Sequence, residues 1–221
     1  MAKSIVIPVD GPVAAGKTVV GRLLAQRLGY QFLDTGIMYR TVTWLALNNH
    51  IRLEDGTALS NLVKDIIFSI DSTEYKSTLL VNKKDISEKL RQPQIEQQVS
   101  LVSSSIEVRT GLVLQQREIA KKTSIVMVGR DIGTVVFPNA KMKIFLMASV
   151  TERAKRRYNE LKEQNKQITY LQVLNDLKRR DRLDSERVHS PLKIAGDSHI
   201  IDTDGISAEQ SVQKILELRG I

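Results

Sequence analysis

Gly11-Pro-Val-Ala-Ala-Gly-Lys17-Thr18 has the spacing G-x-x-x-x-G-K-[ST], with the apolar run Ile5-Val-Ile-Pro-Val9 before it and an amphipathic stretch from Val19 to Leu28 after it. Strand, glycine-bearing loop and helix in that order make a phosphate-binding loop: successive backbone N–H groups converge on an anion and the helix adds its positive N-terminal end. Gly11, Pro12, Val13, Ala14, Ala15, Gly16, Lys17, Thr18 and Val19 are therefore the candidate nucleotide-binding segment. In such a loop the lysine reaches the β- and γ-phosphates and the hydroxyl at the position of Thr18 holds Mg²⁺. Valine and alanine stand at positions 13 and 14. A Cβ at position 14 is tolerated most readily with φ below zero, so Ala14 is expected there.

A motif that needs a strand feeding a helix constrains the fold, and the rest of the chain continues the alternation. Strands are expected near 4–10, 30–33, 125–129, 143–148 and 199–202, with helices over 17–28, 36–49, 151–163 and 207–218. Short, nearly continuous apolar runs such as Ile125-Val-Met-Val128 and Ile144-Phe-Leu-Met147 suit strands covered on both faces of a parallel sheet. Gly29 suits the position just past the first helix, and Ser207 with Gln210 forms a capping-box signature for the last. The pattern is doubly wound α/β. Residues 60–90 break it, because Ile66-Ile-Phe-Ser-Ile70 and Thr78-Leu-Leu-Val81 read as two short strands of a small β-containing insertion. A helix then runs from about 92 to 121, interrupted near Gly111, while Ser103-Ser-Ser105 is too short to count as a linker.

Charge and composition narrow the chemistry. The chain has no cysteine and three scattered histidines, which removes thiol catalysis and leaves no metal-ligand spacing. No apolar run approaches the ~20 residues of a membrane-spanning helix and no leader pattern opens the sequence, so a cytoplasmic protein is expected. The net charge is +8, and residues 153–187 concentrate it, with eleven basic and six acidic side chains. An arginine-rich block suits bidentate gripping of phosphates, and equally a solvated helical face or an RNA-binding patch. Few aromatic residues interleave with the basic ones, which argues against a base-stacking surface. Asn82-Lys-Lys-Asp85 has the letters of a GTPase base-reading motif but falls on the insertion and is read as coincidence.

Four further segments carry a family resemblance. Asp34-Thr-Gly-Ile-Met-Tyr-Arg40, Gly129-Arg-Asp-Ile-Gly-Thr-Val-Val-Phe-Pro138, Ala148 to Tyr158, and Arg180 to Arg187 followed by Pro191-Leu192 together resemble the bacterial cytidylate kinases across essentially the whole chain. The resemblance implies the P-loop nucleoside-monophosphate kinase fold: a five-stranded parallel sheet flanked by helices, a small acceptor-binding insertion and a helical lid. The single domain would divide into a core of about 1–59, 92–150 and 188–221, an insertion of about 60–91 and a lid of about 151–187.

The resemblance also implies an activity and a site. The reaction would pass the γ-phosphoryl of ATP, with Mg²⁺, to CMP or dCMP, in a monomer that needs neither membrane nor nucleic acid. Lys17, Arg130, Arg153, Arg157, Arg180 and Arg187 would be the catalytic set, and Thr35, Arg40, Ser100, Arg109, Arg130, Asp131, Arg180, Asp184 and Arg187 would bind CMP. Ser100, Arg109 and Asp131 would read cytosine, Thr35 and Asp184 the ribose region, and Arg153 and Arg157 would reach from the lid toward the triphosphate. A carboxylate at position 131 accepts from the cytosine N4 amino group, whereas uracil presents an acceptor there; an unpaired buried contact of this kind corresponds to ~10–100-fold discrimination.

Overall fold

The computed structural model of the chain describes residues 4–73, 76–218 and 220. Strands β1 (Val6–Asp10), β2 (Gln31–Asp34), β5 (Ile125–Gly129), β6 (Ile144–Met147) and β7 (His199–Asp202) form a parallel sheet in the order β2-β5-β1-β6-β7. All five residues of β5 are buried, as a strand with helices on both faces requires. Helices α1 (Lys17–Leu28) and α8 (Ala208–Leu218) cover one face around Ile7, Leu24, Val128 and Ile215. On the other, α2 (Thr35–Asn48), α3 (Gly56–Asp65) and α5 (Ile106–Lys121) close over Leu33, Met38, Leu59, Leu112 and Met127. The chain leaves β1 for β2 on one side and β6 lies on the other, so the phosphate loop opens at the crevice where the strand order reverses.

The expected strands and helix boundaries agree to within two residues for the core elements, and α1 spans the expected 17–28. It ends at Gly29 in the left-handed conformation, and Ser207 and Gln210 exchange the two bonds of a capping box at the start of α8.

The long helix expected over 92–121 is instead two, α4 (Pro93–Val102) and α5, and the break falls at Ser103–Ser105 rather than near Gly111. Three hydroxyls cause it. Ser103 and Ser104 donate to the carbonyls of Ser100 and Leu101, and Ser105 accepts from the Val108 N–H as the N-cap of α5. Local side-chain bonds of this kind compete with the helical ladder. Gly111 lies inside α5, where a Cβ would stand 2.6 Å from Cγ1 of Val63; the glycine serves the close approach of α3 and α5. Helix α3 itself, capped by the Asp55 carboxylate on the Ala58 N–H at 2.9 Å, occupies residues 60–65 that the sequence reading gave to the insertion.

The remainder of that segment is the antiparallel hairpin of β3 (Phe68–Thr73) and β4 (Lys76–Val81). It lies along β2, whose Phe32 N–H donates to Ser77 Oγ at 3.2 Å, and its Phe68, Leu79 and Val81 enter the same apolar cluster as α2 and α5. The hairpin thus shields an exposed sheet edge. Asn82 and Lys83 follow β4 in a turn with φ of 49° and 65°, and the Asn82 side chain accepts from Ile67 N–H. This is turn chemistry, not base recognition.

Helices α6 (Val150–Glu163) and α7 (Tyr170–Glu186) pack through a separate small cluster of Ala154, Leu161, Val173 and Leu177. Among the described residues no helix is long and apolar enough to cross a membrane.

Candidate active site

The phosphate loop is held by its own backbone and by α1. Gly16 takes φ 87° to swing the chain into the helix, and the buried Lys17 ammonium folds back on the Pro12 carbonyl at 2.5 Å. Burial, and then the charge of Arg130, push the Lys17 pKa well below its ordinary value. A cation so placed gains most from an arriving polyphosphate. The Thr18 hydroxyl donates to Asp34 Oδ2 at 2.8 Å while the other carboxylate oxygen caps α2 through Gly36 N–H at 3.0 Å. A hydroxyl and a carboxylate at a helix N-terminus are hard oxygen ligands that fit Mg²⁺. Among the described residues there is no group of three or more His, Asp or Glu side chains that could hold a metal alone.

Ala14 departs from expectation. Its φ is 61°, in the left-handed region, and together with Val13 it packs against the α6–α7 cluster. Apolar contact with α6 and α7 offsets a backbone cost of ~1–2 kcal/mol. Ala14→Gly is expected to raise stability by ~0.5–1 kcal/mol in chemical denaturation, and a loss would show the Cβ contact to dominate.

A second cluster of candidate residues is built at the carboxyl end of β5. Immediately after Gly129, Arg130 and Asp131 lead into a five-residue π turn, Ile132–Val136. Asp10, at the end of β1, fixes that turn: its carboxylate accepts from Ile132 N–H at 2.9 Å and Gly133 N–H at 2.7 Å. Asp131 is buried and receives the Arg109 guanidinium, with Arg187 Nη2 at 3.8 Å. The Arg109 guanidinium also lies over the Tyr39 ring, 5.4 Å from its centroid. Arg109 Nε and Arg187 Nη2 are buried without an aligned hydrogen-bond partner. A polar cluster with spare donors is a place for a ligand with acceptor atoms.

Other sequence-assigned residues are placed unevenly. Arg130 Nε donates to Asp184 at 2.8 Å, joining β5 to α7. Arg187 is further tied to the Ser190 carbonyl. Thr35 is buried and its hydroxyl donates to the Val128 carbonyl at 2.9 Å, fastening α2 to β5. The Ser100 carbonyl accepts from Ser103, whose own carbonyl accepts Arg109 Nη1 at 3.0 Å, so Ser100 reaches the cluster at second hand.

Asp10 carries a pH signature. Burial raises its pKa from 3.8 to about 6, against the pull of its two backbone bonds, with the Asp131 charge adding to the rise. Because the native state then binds a proton more tightly than the unfolded chain, this group's contribution to stability declines as pH rises from ~4 to ~6. Asp10→Asn removes the decline. The stability of the variant relative to the parent is expected to rise with pH across that window, by ~2–3 kcal/mol. Parallel pH–stability curves for the two proteins would refute this.

The basic block of 153–187 divides in two. Lys155, Lys162, Lys166, Lys178, Arg179 and Arg182 face solvent. Arg153 is buried, bonding Asp181 at 2.6 and 3.1 Å and the Val13 carbonyl at 3.1 Å, so α6 grips the phosphate loop directly. Arg157, one turn on, pairs with Glu96 of α4 at 2.7 Å and Arg180 donates to the Glu96 carbonyl oxygen of the main chain at 2.9 Å. Arg40 is close enough to lower the Glu96 pKa. Arg156, which the sequence reading gave no role, binds Thr203 and anchors α6 to the end of β7.

The reading of the sequence missed four acids: Asp10 and Asp34, which hold the π turn and Thr18, and Glu96 and Asp181, which hold arginines. Asp10 and Asp34 had a usable signal, an acid ending an apolar strand at the carboxyl edge of a parallel sheet. Glu96 and Asp181 had none, since each lies on an ordinary amphipathic helix.

Residues 7–219 match the cytidylate kinase family. The curated cytidylate kinase of Caldicellulosiruptor bescii is 42% identical over 216 residues, covering 98% of this chain and 96% of its own length. That of Bacillus subtilis is 42% identical over 217 residues, covering 98% and 97%. Among solved structures, a gluconokinase from Sinorhizobium meliloti superposes with a TM-score of 0.51 at 13% identity, covering 98% of this chain and 92% of that one, a likeness of fold alone.

Proposed function

The chain belongs to the cytidylate kinase family of phosphotransferases, and from that premise we propose that it transfers the γ-phosphoryl group of ATP to CMP or dCMP, with the roles divided as follows. ATP lies in the Gly11–Val19 loop with Lys17 at its β- and γ-phosphates. Thr18, with Asp34 beside it, would hold Mg²⁺, which would supply positive charge against the triphosphate. CMP lies across Asp131, Arg109 and Arg187, with its phosphate toward Arg130 and the arginines of the lid.

An oxygen of the CMP phosphate attacks the γ-phosphorus in line, the bond from that phosphorus to the ADP oxygen breaks, and CDP and ADP result. The attacking oxygen is already anionic near neutral pH, so no general base is required. Catalysis consists of positioning and charge stabilisation by Lys17, Arg130, Arg153, Arg157, Arg180 and Arg187. Closure of α6 and α7 over the loop excludes water and prevents wasteful hydrolysis of ATP.

The observation that carries this reading is the buried Arg109–Asp131–Arg187 cluster beside Arg130, a carboxylate flanked by spare donors at the end of the strand next to the phosphate loop. It pairs the cytosine N4 amino donor and offers donors to O2 and N3. The test is ADP release measured with CMP, dCMP, UMP, AMP and dTMP as acceptors. CMP or dCMP is expected to exceed UMP by ~10-fold or more in kcat/KM. Preference for UMP or dTMP would overturn the acceptor and leave the fold untouched.

A further inference from the structure

Glu96 stands apart from the other acids that pair with arginines in the lid. Glu160 and Asp176 meet Arg157 and Arg180 within their own helices, at 2.8 and 2.9 Å. Glu96 comes from α4, 61 residues from Arg157 and 84 from Arg180. Its carboxylate lies 2.7 Å from Arg157 and 3.8 Å from Arg180. Burial works to raise its pKa, but the charges of Arg157, Arg180 and Arg40 outweigh that and keep it below the ordinary value.

Of the cations, Arg180 is the poorly held one. Burial lowers its pKa, Asp176 and Glu96 oppose that fall, and the charges of Arg157 and Arg40 add to it. Arg180 Nε is buried and, although near Asp176, finds no aligned acceptor. Guanidiniums from α6 and α7 thus meet a carboxylate of α4, with the charge of Arg40 from α2 felt at the same place; a phosphate bearing two negative charges and several acceptor oxygens matches such a cluster better than the single Glu96 carboxylate.

We propose that Glu96 is an internal stand-in for a substrate phosphate: its carboxylate sits against Arg157 and Arg180, with Arg40 nearby, and latches the lid to α4 until a polyphosphate displaces it. The proposal rests on the phosphotransferase reading above, with these arginines as phosphate ligands. A latch that must open reduces apparent affinity by the fraction of molecules in which it is open. Removing it therefore tightens binding, whereas removing a merely structural ion pair leaves affinity unchanged or weakens it.

The experiment is calorimetric titration of the full chain with inorganic tripolyphosphate, comparing the parent with Glu96→Gln and Glu96→Ala. Both variants are expected to bind about three- to tenfold more tightly, and the KM for ATP is expected to fall in parallel. Unchanged or weaker tripolyphosphate binding in both variants would overturn the latch. Because this probe needs no acceptor nucleotide, a chain that prefers an acceptor other than CMP still reports on Glu96. Normal CMP turnover without the affinity change would sink the latch and leave the activity standing.

Discussion

Arg130→Ala is expected to lower kcat with CMP by about a thousandfold or more while the protein remains folded. An arginine that meets charge developing on a transferring phosphoryl group is worth ~10³–10⁵ in rate, or ~4–7 kcal/mol of barrier. Arg130 is placed for that work. It follows β5 at the crevice, Asp184 holds its Nε at 2.8 Å, and its charge is among the influences that lower the pKa of Lys17. Two cations held within reach of one another, with Lys17 buried, leave a space suited to an anion. Stability changes little because two effects oppose. The Asp184 carboxylate loses a partner, at ~1 kcal/mol for a part-exposed pair, while the repulsion between Arg130 and Lys17 disappears. For a chain of this size that is a shift of only a few degrees in melting temperature. A folded variant with near-parental turnover would remove Arg130 from the reaction.

The sequence displays some of this architecture because its signals are periodic or local. Apolar runs mark β5 and β6, and the capping box at Ser207 and Gln210 marks the start of α8, each within a few residues of its cause. The break between α4 and α5 was hidden for the opposite reason. Three serines read alike whether they cap, kink or sit within a helix, and only their bonds to Ser100, Leu101 and Val108 decide. Gly111 misled because a helical glycine signals weakness by propensity, while here it meets Val63 of α3, a contact across 48 residues. Ala14 misled similarly: the preference of alanine for negative φ yielded to packing against the lid.

The candidate site shows the same division. Its arginines, and the acids Asp131 and Asp184, could be named from the family resemblance, but which groups pair could not, because ion pairs such as Arg157–Glu96 and Arg130–Asp184 are created by the tertiary fold. The pairing also splits the basic block, which in sequence looked uniform, into inward cations paired with acids of other elements and outward ones that face solvent, of which Arg179 and Arg182 meet acids of their own helix.

Asp131→Asn is expected to damage both stability and acceptor choice, and the two losses have one origin. The side chain is buried, as is Arg109, and Arg187 Nη2 stands at 3.8 Å, so two guanidiniums share one carboxylate away from water. An asparagine has the same shape without the charge, and arginine cannot respond by losing its proton. Leaving such a pair uncompensated costs ~3–5 kcal/mol. That corresponds to a fall of roughly 6–20 °C in melting temperature for a chain of this length. The charge at position 131 also raises the Asp10 pKa, so the variant should bring Asp10 down and leave the π turn more firmly bonded, a partial compensation. Acceptor choice changes because an amide presents an acceptor and a donor and can be turned to suit either cytosine N4 or uracil O4. The CMP preference over UMP is therefore expected to shrink from ~10-fold or more to within a few-fold, measured as the ratio of kcat/KM below the melting transition. Bound CMP should restore part of the lost stability in the parent and less in the variant, since only the parent gives the N4 amino group a carboxylate. A variant that melts early yet keeps the parental CMP-to-UMP ratio would assign Asp131 to the fold alone and move cytosine recognition to Arg109 and Arg187.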